Sequence, residues 1–84
     1  MTIYVLDGNR MTSREEAHEY IASELNFPKY YGKNLDALED CLGDMPEDTH
    51  IEILFKEKAV ENMGRYAEKI FRVFERVAED VWIS

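Results

Sequence analysis

Three aspartates, Asp36, Asp40 and Asp44, recur every four residues in the stretch Tyr30-Tyr31-Gly32-Lys33-Asn34-Leu35-Asp36-Ala37-Leu38-Glu39-Asp40-Cys41-Leu42-Gly43-Asp44. In a helix, at about 100° per residue, they share an arc of roughly 80°. Carboxylates so placed can hold a metal or trade protons, stand in solvent, or present themselves to a cationic partner as a polyanion does. Metal ligation is disfavoured, because Mg²⁺ takes oxygens that converge in a cavity, whereas these are spread along a convex face. A solvated face is the plain alternative. Their neighbours favour binding: Tyr30, Tyr31 and Gly32 immediately precede them, and tyrosine is enriched at interface hot spots. No basic residue lies between Lys33 and Lys56 to neutralise the row. The helix dipole favours Asp36, in the first turn after the N-cap candidate Asn34. Asp40 and Asp44 instead lie toward the negative end, where like charges four apart destabilise a helix. A local rule broken without compensation points to function.

The helix that positions them is read from Leu35, Leu38 and Leu42, a core stripe with Cys41 beside it. Two adjacent loop tyrosines cannot easily both be core, so at least one is expected at the surface. Gly32 serves either the turn, by reaching positive φ, or a close backbone approach to a partner. Cys41, on the apolar side, is read as an inert buried thiol. His18 and His50 lie far apart with no second histidine or cysteine nearby, so each is assigned a structural role and no zinc site is expected. Trp82 is assigned to the core, anchoring a terminal strand. An acyl carrier protein is excluded, since none of Ser13, Ser23 and Ser84 follows an aspartate at a helix start.

The chain has 84 residues, 18 acidic and 10 basic, with a formal charge of -8. That length predicts one domain, residues 1–84. Six acids and one base fall between residues 31 and 50, so most of the charge is a patch. It argues against nucleic acid and anionic membrane, and for a basic protein reached by electrostatic steering. The single cysteine fits a reducing compartment. With no secretory leader and no apolar run of about 18 residues, a soluble cytoplasmic protein is expected.

Ile3 to Leu6 reads as a strand buried on both faces, stopped by Asp7-Gly8-Asn9. Thr12 and Ser13, with Glu15 and Glu16, make two overlapping capping boxes for a helix reaching about Asn26, where Phe27-Pro28 ends it. Gly43 and Pro46 close the acidic helix. His50 to Phe55 is the second strand, Lys58 to Ala78 an amphipathic helix that Gly64 can split, and Val81-Trp82-Ile83 the last strand. Strands separated by helical crossovers pair in parallel. The fold class is therefore α/β, a three-stranded parallel sheet packed with helices, its strand order left open.

The run Tyr30-Tyr31-Gly32-x-Asn34-Leu35-Asp36-Ala37-Leu38-x-Asp40-Cys41-Leu42 closely resembles the barstar family, intracellular inhibitors of a secreted bacterial ribonuclease, barnase. Looser likeness extends along the chain, through His18, Glu24-Leu25, Pro28, Val73-Phe74 and the final strand. The resemblance implies a barstar-like fold, no catalytic activity and no cofactor; a monomer when free is expected, with the oligomeric state left open by the sequence. It also implies that the acidic helix and its loop plug the nuclease active site. Asp40 would be the principal phosphate mimic, with Asp36 in support. Tyr30 would pack on the catalytic histidine, and Asn34 and the Gly32 backbone would hydrogen-bond the enzyme. Asp44, Glu39, Glu75 and Arg76 complete the expected partner-binding set. Two positions depart from the family pattern: Glu39 stands where a tryptophan is usual, and Arg76 where a glutamate is, with Glu75 adjacent. The alternative is an interaction module of the same fold that binds another basic protein or toxin. A carboxylate-dependent metal hydrolase is the enzyme alternative.

Overall fold

The computed structural model describes residues 1–84. Its elements, in order, are β1 (Thr2–Asp7), a 3-10 turn (Gly8–Arg10), α1 (Arg14–Leu25), α2 (Leu35–Gly43), β2 (Thr49–Leu54), α3 (Lys56–Met63), α4 (Arg65–Val77) and β3 (Val81–Ile83). The three strands are parallel in the order β1-β2-β3. The α/β class read from the sequence is the observed one, and the structure adds the strand order.

Residue chemistry sets the boundaries. Ser13 alone is the N-cap of α1, its Oγ accepting from the Glu16 N–H at 3.2 Å, while Thr12 donates to the Glu16 carboxylate at 2.6 Å. Of the two overlapping boxes, the second caps the helix. Asn26 ends α1 in the left-handed region, φ 58°. Phe55 belongs to no strand: it too is left-handed, φ 56°, and turns the chain straight into α3. Gly64, at φ 61° and ψ -133°, divides α3 from α4 in a conformation costly for any residue with a Cβ.

The sheet is covered on one face only. Leu6, Ile53 and Ile83 form one register row toward the helices, and Tyr4, Ile51 and Val81 another; Phe74, Ile70, Ile21 and Leu38 pack over them. The alternate rows, Ile3 with His50 and Val5 with Glu52 and Trp82, face the other way. Two expectations fail here. β1 is not buried on both faces, since Ile3 is 60% exposed, and Trp82 is not core, being 63% exposed. In both cases the apolar residue falls on the face of the pleat that no helix covers.

What anchors β3 is therefore its backbone and a histidine. Ile51 N–H donates to Asp80 O at 3.0 Å and Ser84 N–H to Ile53 O at 2.9 Å. His50, on β2, sets Nε2 3.0 Å from Glu52 and Nδ1 2.9 Å from Asp80 at the entry to β3. Both ring nitrogens face carboxylates, so the doubly protonated ring is favoured, and the hydrogen bond to Glu52, then that to Asp80, raise its pKa above the ordinary 6.5. A raised folded pKa gives stability that is complete below the unfolded value and lost as pH rises through the folded one. Denaturant midpoints should accordingly fall as pH rises past the ordinary value of 6.5 toward the raised one, and His50→Gln should remove that fall; an unchanged pH profile would refute the clasp.

Candidate functional site

Tyr30 and Tyr31 divide the work of the loop before α2. Tyr30 stands 88% exposed, whereas Tyr31 is buried against Phe27, with ring centroids 5.1 Å apart. The Tyr31 hydroxyl lies 2.7 Å from Nδ1 of His18 on α1, and the Tyr66 hydroxyl of α4 lies 2.6 Å from Nε2. A neutral imidazole donates from one nitrogen and accepts at the other, so one ring satisfies both phenols. Burial, then the positive Arg14, hold the His18 pKa below its usual value and keep it neutral. Arg14 stacks over Tyr66 at 4.2 Å. Burial, assisted by Cys41 and Tyr66, pushes the Tyr31 phenol up and keeps it protonated. His18 thereby ties α1, α4 and the loop together at one buried point.

Asn34 is the N-cap of α2, as expected: its Oδ1 accepts from the Ala37 N–H at 2.8 Å, and its Nδ2 donates to the Gly32 carbonyl at 3.2 Å. The left-handed residue in this turn is Lys33, φ 52°, and not Gly32. Gly32 answers a need for space, since a Cβ there would lie 3.2 Å from Asn34 Nδ2 and 3.4 Å from Ala37 Cβ. Lys33 is drawn away from the acidic row by Glu19 of α1, at 3.0 Å.

Leu38 and Leu42 bury the inner stripe of α2. Asp36, Asp40 and Asp44 are exposed, and none forms an ion pair. Asp44 is the C-cap, just past the last helical residue. Cys41 is half-buried and not the buried thiol expected; burial, then Asp44 and Asp40, raise its pKa and keep it a thiol. No group of three His, Cys, Asp or Glu side chains converges closely enough to hold a metal ion. No helix is long and apolar enough to cross a membrane.

The two residues that depart from the family pattern meet each other. The Arg76 guanidinium donates to the Glu39 carboxylate, bridging α4 to α2 at the edge of the acidic row. Glu75 lies on the flank of α4 toward α3, beside Lys56, Phe71 and Arg72. Neither the Glu39–Arg76 pair nor the His18 node is visible in local spacing, because each joins elements far apart in sequence.

The fold and this helix define a small α/β protein that displays a capped helix with three unpaired aspartates beside an exposed tyrosine. The sequence matches the family model for barstar, the barnase inhibitor, over residues 1–82. The chain belongs to the barstar family, whose members are inhibitors and not enzymes. It is 33% identical over 79 residues to "Putative ribonuclease inhibitor YrdF" of Bacillus subtilis (strain 168), covering 92% of this chain and 86% of that protein.

Proposed function

We propose that the protein is a stoichiometric inhibitor of a basic, barnase-like ribonuclease, acting in the cytoplasm by occupying the enzyme's active site with α2 and its loop. Asp40 and Asp36 take the places of RNA phosphates, and Tyr30 stacks at the entrance. The observation that carries this reading is the preorganised α2 N-terminus: a capped helix whose Asp36, Asp40 and Asp44 carboxylates form no ion pair within the chain. An enzyme that binds phosphates supplies the missing cations, and fixed donors and acceptors lower the ordering cost of association.

The test is inhibition of a panel of small secreted bacterial ribonucleases, barnase included, titrated to a one-to-one endpoint. Association should slow steeply as salt rises, because screening shortens the reach of the acidic field to about 8 Å at physiological ionic strength. No inhibition at micromolar protein would end the proposal. The Glu39–Arg76 pair favours a second reading, a module of the same fold for another basic protein or toxin; it predicts an unrelated protein captured from the native cell through Asp40.

A further inference from the structure

The α2 surface is small for a whole interface. A stable protein–protein contact takes about 20–30 residues a side, and the stretch from Tyr30 to Asp44 spends Tyr31, Leu38 and Leu42 on the core. The contact must spread onto a neighbour, and α4 is the helix packed along α2.

On α4, Arg65, Lys69, Arg72 and Arg76 follow one another at spacings of four, three and four. At about 100° and 1.5 Å per residue they form a strip roughly 60° wide and about 16 Å long. All four are exposed. They are four of only 10 basic residues in a chain of charge -8, so their alignment is not what composition alone would give. Arg76 pairs with Glu39; Arg65, Lys69 and Arg72 form no ion pair, although Glu68 and Glu75 share their helix. Those two glutamates lie on a separate strip, roughly 80° round toward α3. On α2, Glu39 lies roughly 60° from Asp36, on the side that meets Arg76. Crossing the surface from α2 to α4, the order is Asp40, Asp36, Glu39, Arg76, and Arg72, Lys69 and Arg65 continue the basic strip from Arg76 along α4 toward its N-terminus.

We propose that the two strips are one bipolar interface, and that the partner carries an acidic ridge beside its cationic cleft, the ridge seating against Lys69 and Arg72. The inference rests on the inhibitor reading above. Glu39 and Arg76 neutralise each other at the seam, so neither strip discharges the other across it. A uniformly basic enzyme would meet α4 with like charges, which penalises docking and selects among nucleases that all attract α2.

The sign of one charge reversal tests this. Lys69→Glu with Arg72→Glu makes the protein more acidic, so a uniformly cationic partner must bind it faster and more tightly. A partner with an acidic ridge must bind it about tenfold more weakly, and the neutral pair Lys69→Gln with Arg72→Gln must weaken binding by a smaller factor. The probes are barnase and other small secreted bacterial ribonucleases inhibited by the wild type, with association and dissociation rates read separately. Matching melting curves show that both variants fold. Unchanged or tighter binding of the double reversal overturns the bipolar interface while leaving the inhibitor reading intact. Failure of the wild type to inhibit any probe overturns both.

Discussion

Asp40→Ala is expected to weaken nuclease binding by about 2–5 kcal/mol, at least about thirtyfold in Kd, while Asp48→Ala changes it by less than about twofold. That range is general for truncating a charge held in an interface, and the family's own nuclease complex is among the systems behind it. Asp40 lies in the middle of the exposed face of α2, one turn beyond Asp36 and without a partner in the chain. In the proposed complex it would lose its water and depend on the donors of the enzyme. Removing it leaves those buried cations unpaired, so the loss should appear chiefly as faster dissociation. Asp48 is equally charged and exposed, but it follows α2 and pairs with the N-terminus at 3.4 Å. Its removal costs only a screened contribution to steering. Asp44→Ala should behave more like Asp48→Ala, because the carboxylate sits at the C-cap and outside the helix. Paired calorimetry and stopped-flow measurements decide the matter: equal effects of Asp40→Ala and Asp48→Ala would mean that α2 is not the binding face.

The acidic helix was legible because everything that makes it is local. Leucine spacing gives its inner stripe, Asn34 its start, and the absence of a base between Lys33 and Lys56 its charge. The parallel sheet followed from the alternation of strands and helices. What a strand faces is a different matter, because the pleat is symmetric until something covers one side. Ile3, Val5 and Trp82 are apolar enough for a core, yet all the helices pack on the opposite rows. Likewise the turn before α2 announces a left-handed residue, and glycine was the natural choice; Lys33 takes it, freeing Gly32 to pass close to Asn34 and Ala37. The connections that fix the site in three dimensions, His18 to Tyr31 and Tyr66, and Arg76 to Glu39, span 13, 48 and 37 positions. Local spacing carries no trace of such pairs.

Replacing His18 should be the most damaging single change outside the apolar core. His18→Ala deletes a fully buried ring and orphans two hydroxyls, one of them, on Tyr31, itself buried. An unsatisfied buried hydroxyl costs about 1–3 kcal/mol and the cavity adds to it, giving a loss of about 3 kcal/mol or more. For a domain of this size that lowers Tm by roughly 12–24 °C. His18→Leu fills the space but leaves the hydroxyls, and Tyr31→Phe in the same chain removes the buried one. The double variant should therefore be more stable than the sum of the single losses predicts. Proton linkage gives a second signature. With its folded pKa depressed by burial and Arg14, the wild-type ring contributes full stability above pH 6.5 and loses it as pH falls toward the lowered value, since the unfolded chain takes up the proton first. The difference between wild type and His18→Leu should shrink across that acid window, opposite in sense to the effect of His50. Because Tyr31 fixes the loop that carries Tyr30, His18→Leu should also speed dissociation from the nuclease at a pH where the protein is still folded. A variant that melts early yet releases the enzyme at the wild-type rate would show that the node supports the fold alone, and that the loop is held by Asn34.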